Sequence, residues 1–168
     1  MPTYAYGIFN VCRNEVVQHI IFEYVDPAKE YADIVRNPSR LNKELEILRR
    51  NMQSFLDEED VRINDIRVYP KVVDVEIGFS GSYERPYIKY LIVFDAPLKS
   101  GVNKYEDTYE PDIVEYDYIV TWVFPKGSKV LEVNVGFNYK VINDRIITFY
   151  VPEGSETPGY EMISFLLP

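Results

Sequence analysis

Strand-forming side chains crowd the last two thirds of this chain, and the way they alternate limits it to sheet with one covered side. The run Tyr87-Ile88-Lys89-Tyr90-Leu91-Ile92-Val93-Phe94 is made of β-branched and aromatic residues that suit a pleated, half-buried surface. Val73, Val75, Ile77 and Phe79 alternate with Asp74, Glu76 and Gly78, which predicts one buried face and one wet face. Over residues 113–124, Val114, Tyr116, Tyr118, Val120, Trp122 and Phe124 share one side, and Glu115, Asp117 and Thr121 the other. Residues 129–135 and 160–167 read as further strands. Asn143-Asp144 marks a tight hairpin between 139–142 and 145–151, because Asn and Asp tolerate positive φ. The N-terminus reads as another hairpin, 3–12 and 15–24, turning at Arg13-Asn14.

Two helices interrupt the strands. Asp26 can cap a first helix with Pro27 at its opening position, and Asn37-Pro38 should stop it. Ser39 then offers the cap of a second. In that helix Leu41, Leu45, Leu48, Met52 and Phe55 recur at four- and three-residue steps and define one apolar stripe. A helix with one apolar stripe and a sheet with one apolar face must cover each other. The expected fold is therefore α+β. It is a single curved, mostly antiparallel sheet with the order hairpin, two helices, β-meander, and with the helices packed on one face, all in one domain of residues 1–168. This element order resembles helix-grip and TBP-like domains, although those close with a C-terminal helix that this chain does not show. The resemblance is one of fold and implies no function.

Residues 95–112 break the pattern, with Pro97, Gly101 and Pro111 and no periodicity. They read as a mobile acidic loop, dispensable for folding, since long irregular loops are most often functional or disordered. The closing segment Met162-Ile163-Ser164-Phe165-Leu166-Leu167 is apolar and nearly uncharged. Left bare it would invite aggregation, so it must pair into the sheet, pack on the helices or meet a second copy. A homodimer is expected on that ground.

Charge and reactive groups narrow the function. The chain carries 18 basic and 27 acidic residues, a formal net charge of −9, with no basic run. Phosphate backbones are repelled by such a surface, so nucleic acid is not an expected partner. The acidity suits a basic protein partner instead. One cysteine cannot make an internal disulfide, and no apolar run approaches the ~20 residues that span a bilayer, so no membrane association is expected. Neither a basic leader nor a usable glycosylation triplet is visible. The cytoplasm is the expected location. Scarce glutamine, only Gln18 and Gln53, leans toward a thermophile's composition.

Catalytic candidates are few. His19 is the only histidine and the only ordinary base near neutral pH. With Cys12 on the facing arm of the hairpin it could form a nucleophile–base pair, but no third group orients it, and Cys12 itself reads as a small buried hydrophobe. Glu115 and Asp117 could act as paired carboxylates, and the acidic loop could hold a hard cation, yet surface acids are ordinarily just solvated. One histidine and one cysteine leave too few ligands for zinc. Gly78-Phe79-Ser80-Gly81-Ser82 has no following lysine and reads as a hairpin turn rather than a phosphate loop. The aromatic face, with Tyr116, Tyr118 and Trp122 beside His19, is the candidate binding surface for a small apolar ligand. No cofactor, metal or catalytic residue is assigned. The expectation is a non-catalytic cytoplasmic binding or interaction domain. The alternative is a small hydrolase or isomerase that uses carboxylates and tyrosines in a pocket between helices and sheet.

Overall fold

The computed structural model describes all residues 1–168. The N-terminal hairpin forms as expected from β1 (Tyr4–Val11) and β2 (Glu15–Glu23), in register from Tyr4 opposite Glu23 to Val11 opposite Val16. Helix α1 (Glu30–Arg36) starts later than Pro27: Lys29 precedes it at φ 58°, and the Asp26 carboxylate reaches forward to accept the Tyr31 N–H at 3.0 Å. Helix α2 (Pro38–Glu58) is capped by Asn37 rather than Ser39. A residue before proline is held extended, which is the backbone a cap needs. Asn37 Oδ1 accordingly accepts the Arg40 N–H at 3.1 Å, with Pro38 in the first turn. The apolar stripe also ends differently. Leu48, Met52 and Leu56 pack against the sheet, while Phe55 is 67% exposed; a four-residue step continues the stripe from Met52, and a three-residue step leaves it.

Ten more strands follow: β3 (Asp60–Ile63), β4 (Ile66–Val68), β5 (Lys71–Phe79), β6 (Pro86–Asp95), β7 (Gly101–Thr108), β8 (Tyr118–Val123), β9 (Lys129–Asn134), β10 (Tyr139–Ile142), β11 (Ile146–Val151) and β12 (Tyr160–Leu167). The chain is α+β and its sheets are mostly antiparallel. Where one sheet was expected there are two: a seven-stranded sheet in the order β10-β11-β8-β1-β2-β6-β5, and a five-stranded sheet in the order β4-β3-β7-β12-β9. The meander is broken as well, since β8 runs parallel to β1.

The reason lies in residues 95–112. They are no mobile loop, because they contain β7, the middle strand of the five-stranded sheet. Its inward side holds Asn103, Tyr105 and Asp107, all buried. Only Tyr105 among these is apolar in body, so hydropathy alternation is masked. Asn103 satisfies the turn before β7: its Oδ1 accepts from Lys99 N–H and Asn64 Nδ2, and its Nδ2 donates to the Lys99 and Gly101 carbonyls. The C-terminal segment is likewise internal, with β12 hydrogen-bonded to β7 on one side and β9 on the other.

The two sheets meet through one large core. Trp122, the only tryptophan, stacks on Phe9 at 4.1 Å and touches Tyr105 at 4.6 Å. Phe124 leans on Phe165, and Val61, Ile63 and Ile163 complete the five-stranded side. Along β6, Phe94 joins this core, while Ile88, Tyr90 and Ile92, on the same side of the strand, pack with Leu56 and Val72. A β-bulge between Val72 and Asp74 turns Val72 inward and leaves Val73 55% exposed, against the alternation expected from Val73 onward. Neither helix is long and apolar enough to cross a membrane.

Candidate functional site

Three carboxylates occupy inward positions at one end of the five-stranded sheet. Asp107 on β7 lies directly opposite Glu161 on β12. Side chains opposed this way have Cβ atoms about 5 Å apart. Glu59 follows the last turn of α2 in extended backbone (φ −81°, ψ 147°). Two residues before Val61, it faces the same way as that buried valine. The sandwich therefore ends in a cluster of acids, Asp107 and Glu161 paired across β7 and β12 and Glu59 just before β3, where the core above it is apolar.

The environment is unfavourable to charge. Burial, with Asp107 and then Glu161 as neighbours, drives the Glu59 carboxyl well above its ordinary value. Burial does the same to Asp107, with Asp60 adding repulsion and the Tyr105 hydroxyl pulling the other way. Glu161 is raised to about 7, again chiefly by burial and then by Asp107. Every charged neighbour acting on the three is another acid. Tyr109 donates its hydroxyl to Glu161 Oε1 at 3.2 Å, and Tyr105 and Tyr118 are themselves pushed up by burial and by these carboxylates. One atom is left over: Asp107 Oδ1 is buried with no hydrogen-bond partner.

Glu59 opens onto a surface cleft of about 910 Å³ between the end of α2 and the segment after β7, lined also by Phe55, Glu58, Asp60, Glu110 and Asp112. Five of its nine lining residues are acidic and none is basic, so a cation entering it meets no electrostatic barrier.

The residues singled out from sequence fall elsewhere, with one exception. Tyr118 reaches the carboxylate row, close enough to feel Glu161. Trp122 is in the centre of the core, 2% exposed. Tyr116 lies half-buried with its ring edge-on to Phe22. His19 is on the opposite, outer side of the seven-stranded sheet, between Ile8 and Leu91. Cys12 is exposed at the hairpin end, not buried, and faces Glu15 rather than His19. Glu115 and Asp117 precede β8 instead of sharing a strand face, and Asp117 accepts the Glu153 N–H at 2.8 Å to hold a loop. Sequence reading missed Glu59, Asp107 and Glu161. Two of them carried a signal: Glu59 is in phase with Val61 and Ile63, and Glu161 with Ile163 and Phe165, so an acid stands at the end of each apolar alternation.

The chain matches no family model and no curated protein. Among solved structures, native leukotriene A4 hydrolase from Saccharomyces cerevisiae aligns with 97% of this chain and 28% of its own, at 7% identity and a TM-score of 0.30. The chain thus spans little more than a quarter of that protein, and a likeness this low carries no argument about fold or function.

Proposed function

We propose that this chain is a non-catalytic binding domain whose acidic cleft takes up a cationic group, a lysine or arginine side chain presented by a basic protein partner. The observation that carries this reading is Glu59, set in the wall of a cleft lined by four other acids and no base, with Asp107 and Glu161 pressing on it from behind. Buried carboxylates need a counter-charge or a proton. A guanidinium or ammonium in the cleft supplies the first to Glu59 and displaces its proton.

The test is calorimetric titration with a short lysine- and arginine-rich peptide near pH 7, repeated in buffers of different ionisation enthalpy. Binding should release protons, weaken with salt, and be lost in Glu59→Gln with Glu161→Gln. Binding that releases no protons and survives both substitutions would place the peptide on the general acidic surface and end this reading.

A second reading is favoured by one feature: Glu59 is an acid held protonated toward neutral pH and set on an open cleft. Such a group can serve as a general acid, as a carboxylate- and tyrosine-based hydrolase or isomerase would require. Turnover of a small ester, glycoside or ketone that disappears in Glu59→Gln would put this reading in place of the first.

A further inference from the structure

The seven-stranded sheet has a second side, and neither the five-stranded sheet nor the helices cover it. Inward residues of β1 are Ala5, Phe9 and Val11; the outward ones are Tyr4, Tyr6, Ile8 and Asn10. Following the register across neighbouring strands gives continuous outward rows. One row reads Thr148, Thr121, Ile8, His19, Leu91 and Asp74. The next, toward the other end, is Tyr150, Ile119, Tyr6, Ile21, Lys89 and Glu76, and on the far side lie Ile146, Val123, Asn10, Val17, Val93 and Lys71. Across β11, β8 and β1 no outward position is charged. Charge lies toward the margins: Lys89 pairs with Glu76 at 2.9 Å, Tyr87 lies over Gly78 and donates to Glu76, Lys140 sits on the edge strand β10, and acids stand at both ends of the face, Glu23 and Asp117 beside Tyr4 and Glu15 opposite Asp95. An apolar centre with a polar rim is the anatomy of a protein interface.

The outer side of the other sheet shows what a solvated face looks like in this same chain. There Arg62 pairs with Asp60, Lys104 with both Asp65 and Glu106, and Tyr160 donates to Glu106. Two outward faces of one molecule therefore differ sharply, one laced with ion pairs and the other largely bare of them.

We propose that two copies of this chain associate face to face through the outward side of the seven-stranded sheet. Two features select a second copy as the occupant. First, a chain of formal net charge −9 repels its own kind wherever its acids lie, and on this face the outward positions of β11, β8 and β1 carry none. Secondly, the area suits a dimer. Seven strands about 4.8 Å apart, with outward residues about 7 Å apart along each, give a face on the order of 600–900 Å². A stable interface needs ~800 Å² from each partner. Two such faces packed as aligned sheets about 10 Å apart would be related by a twofold axis. This interface is separate from the acidic cleft, and neither proposal depends on the other.

Sedimentation of the full chain over a range of concentrations tests it, with Thr121→Arg and Tyr6→Lys as variants. Both positions point outward, and Tyr6 is 36% exposed, so a native circular dichroism spectrum should accompany each. Each substitution puts a charge on an uncharged part of the face, and burying it unpaired on association should weaken dimerisation on the order of 100-fold. A dimeric wild type and monomeric, folded variants are the expected result. If one variant fails to fold, the other decides the matter. A wild type that stays monomeric at high micromolar concentration overturns the proposal, and so does a dimer that neither substitution weakens.

Discussion

At the scale of single residues, the carboxylate row makes stability depend on pH in an unusual direction. Glu59, Asp107 and Glu161 have folded-state pKa values above their unfolded ones. Between the ordinary carboxylate range and about pH 7 or higher, the folded chain thus binds more protons than the unfolded chain, and stability falls as pH rises through that window. By about pH 8.5 these neighbouring carboxyls must ionise inside the folded chain, and burying their charges side by side destabilises it. Asp107→Asn removes one ionisation with almost no change of shape. It should raise the melting temperature at about pH 8.5, leave it nearly unchanged near pH 3, below the ordinary aspartate value, and flatten the profile between. Thermal denaturation across pH checks this; a profile for the Asp107→Asn variant that runs parallel to wild type would mean that Asp107 keeps its ordinary acidity. The exposed acids held low by partners, such as Glu46 beside Arg49 and Asp60 beside Arg62, work in the opposite sense, but fully solvated pairs contribute little.

At the scale of elements, two substitutions one residue apart on α2 should behave differently. Leu56 is 6% exposed and packs with Val72, Ile88 and Ile92, so Leu56→Ala should cost about 2–5 kcal/mol. Phe55→Ala, at a position 67% exposed, should stay within about 0.5 kcal/mol. Urea denaturation of the pair checks the phase of the stripe. The segment 99–110 is the sharper case. Because β7 hydrogen-bonds to both β3 and β12, shortening this segment removes the middle of a sheet and should abolish folding, seen as loss of the native circular dichroism spectrum. A shortened chain that still melts cooperatively near the wild-type temperature would show the five-stranded sheet to be dispensable.

At the scale of the whole molecule, the shared core ties the two sheets into one cooperative unit. Trp122 belongs to the seven-stranded sheet yet rests on Tyr105 of the five-stranded one, and Phe165 of β12 leans on Phe124 after β8. Neither sheet keeps its covered face without the other. Trp122 fluorescence and far-ultraviolet circular dichroism should therefore report coincident unfolding transitions. Phe165→Asp, which places a charge at a side chain 1% exposed, should unfold both sheets rather than only detach β12. Two separated transitions would mean that the sheets fold independently.

Periodicity made much of this legible. The N-terminal hairpin, the α2 stripe from Leu41 to Met52, the Asn143-Asp144 turn and the inward side of β8 all follow from local spacing, because a 3.6- or 2-residue repeat is written directly in the chain. Three kinds of information were not local. Strand partners are chosen by surfaces distant in sequence, so one sheet could not be told from two, and β8 was not seen to run beside β1. A strand whose inward residues are Asn103, Tyr105 and Asp107 gives no hydropathy signal; its place was decided by Asn64 and Tyr105 meeting groups dozens of residues away. The carboxylate row arose in the same manner. Glu59, Asp107 and Glu161 each sit at the end of an ordinary-looking segment, and only the pairing of β3, β7 and β12 brings them together. Local repeats determine which side of an element must be covered, whereas long-range pairing decides what covers it, and in this protein both the acidic cleft and the bare outer face are products of the second.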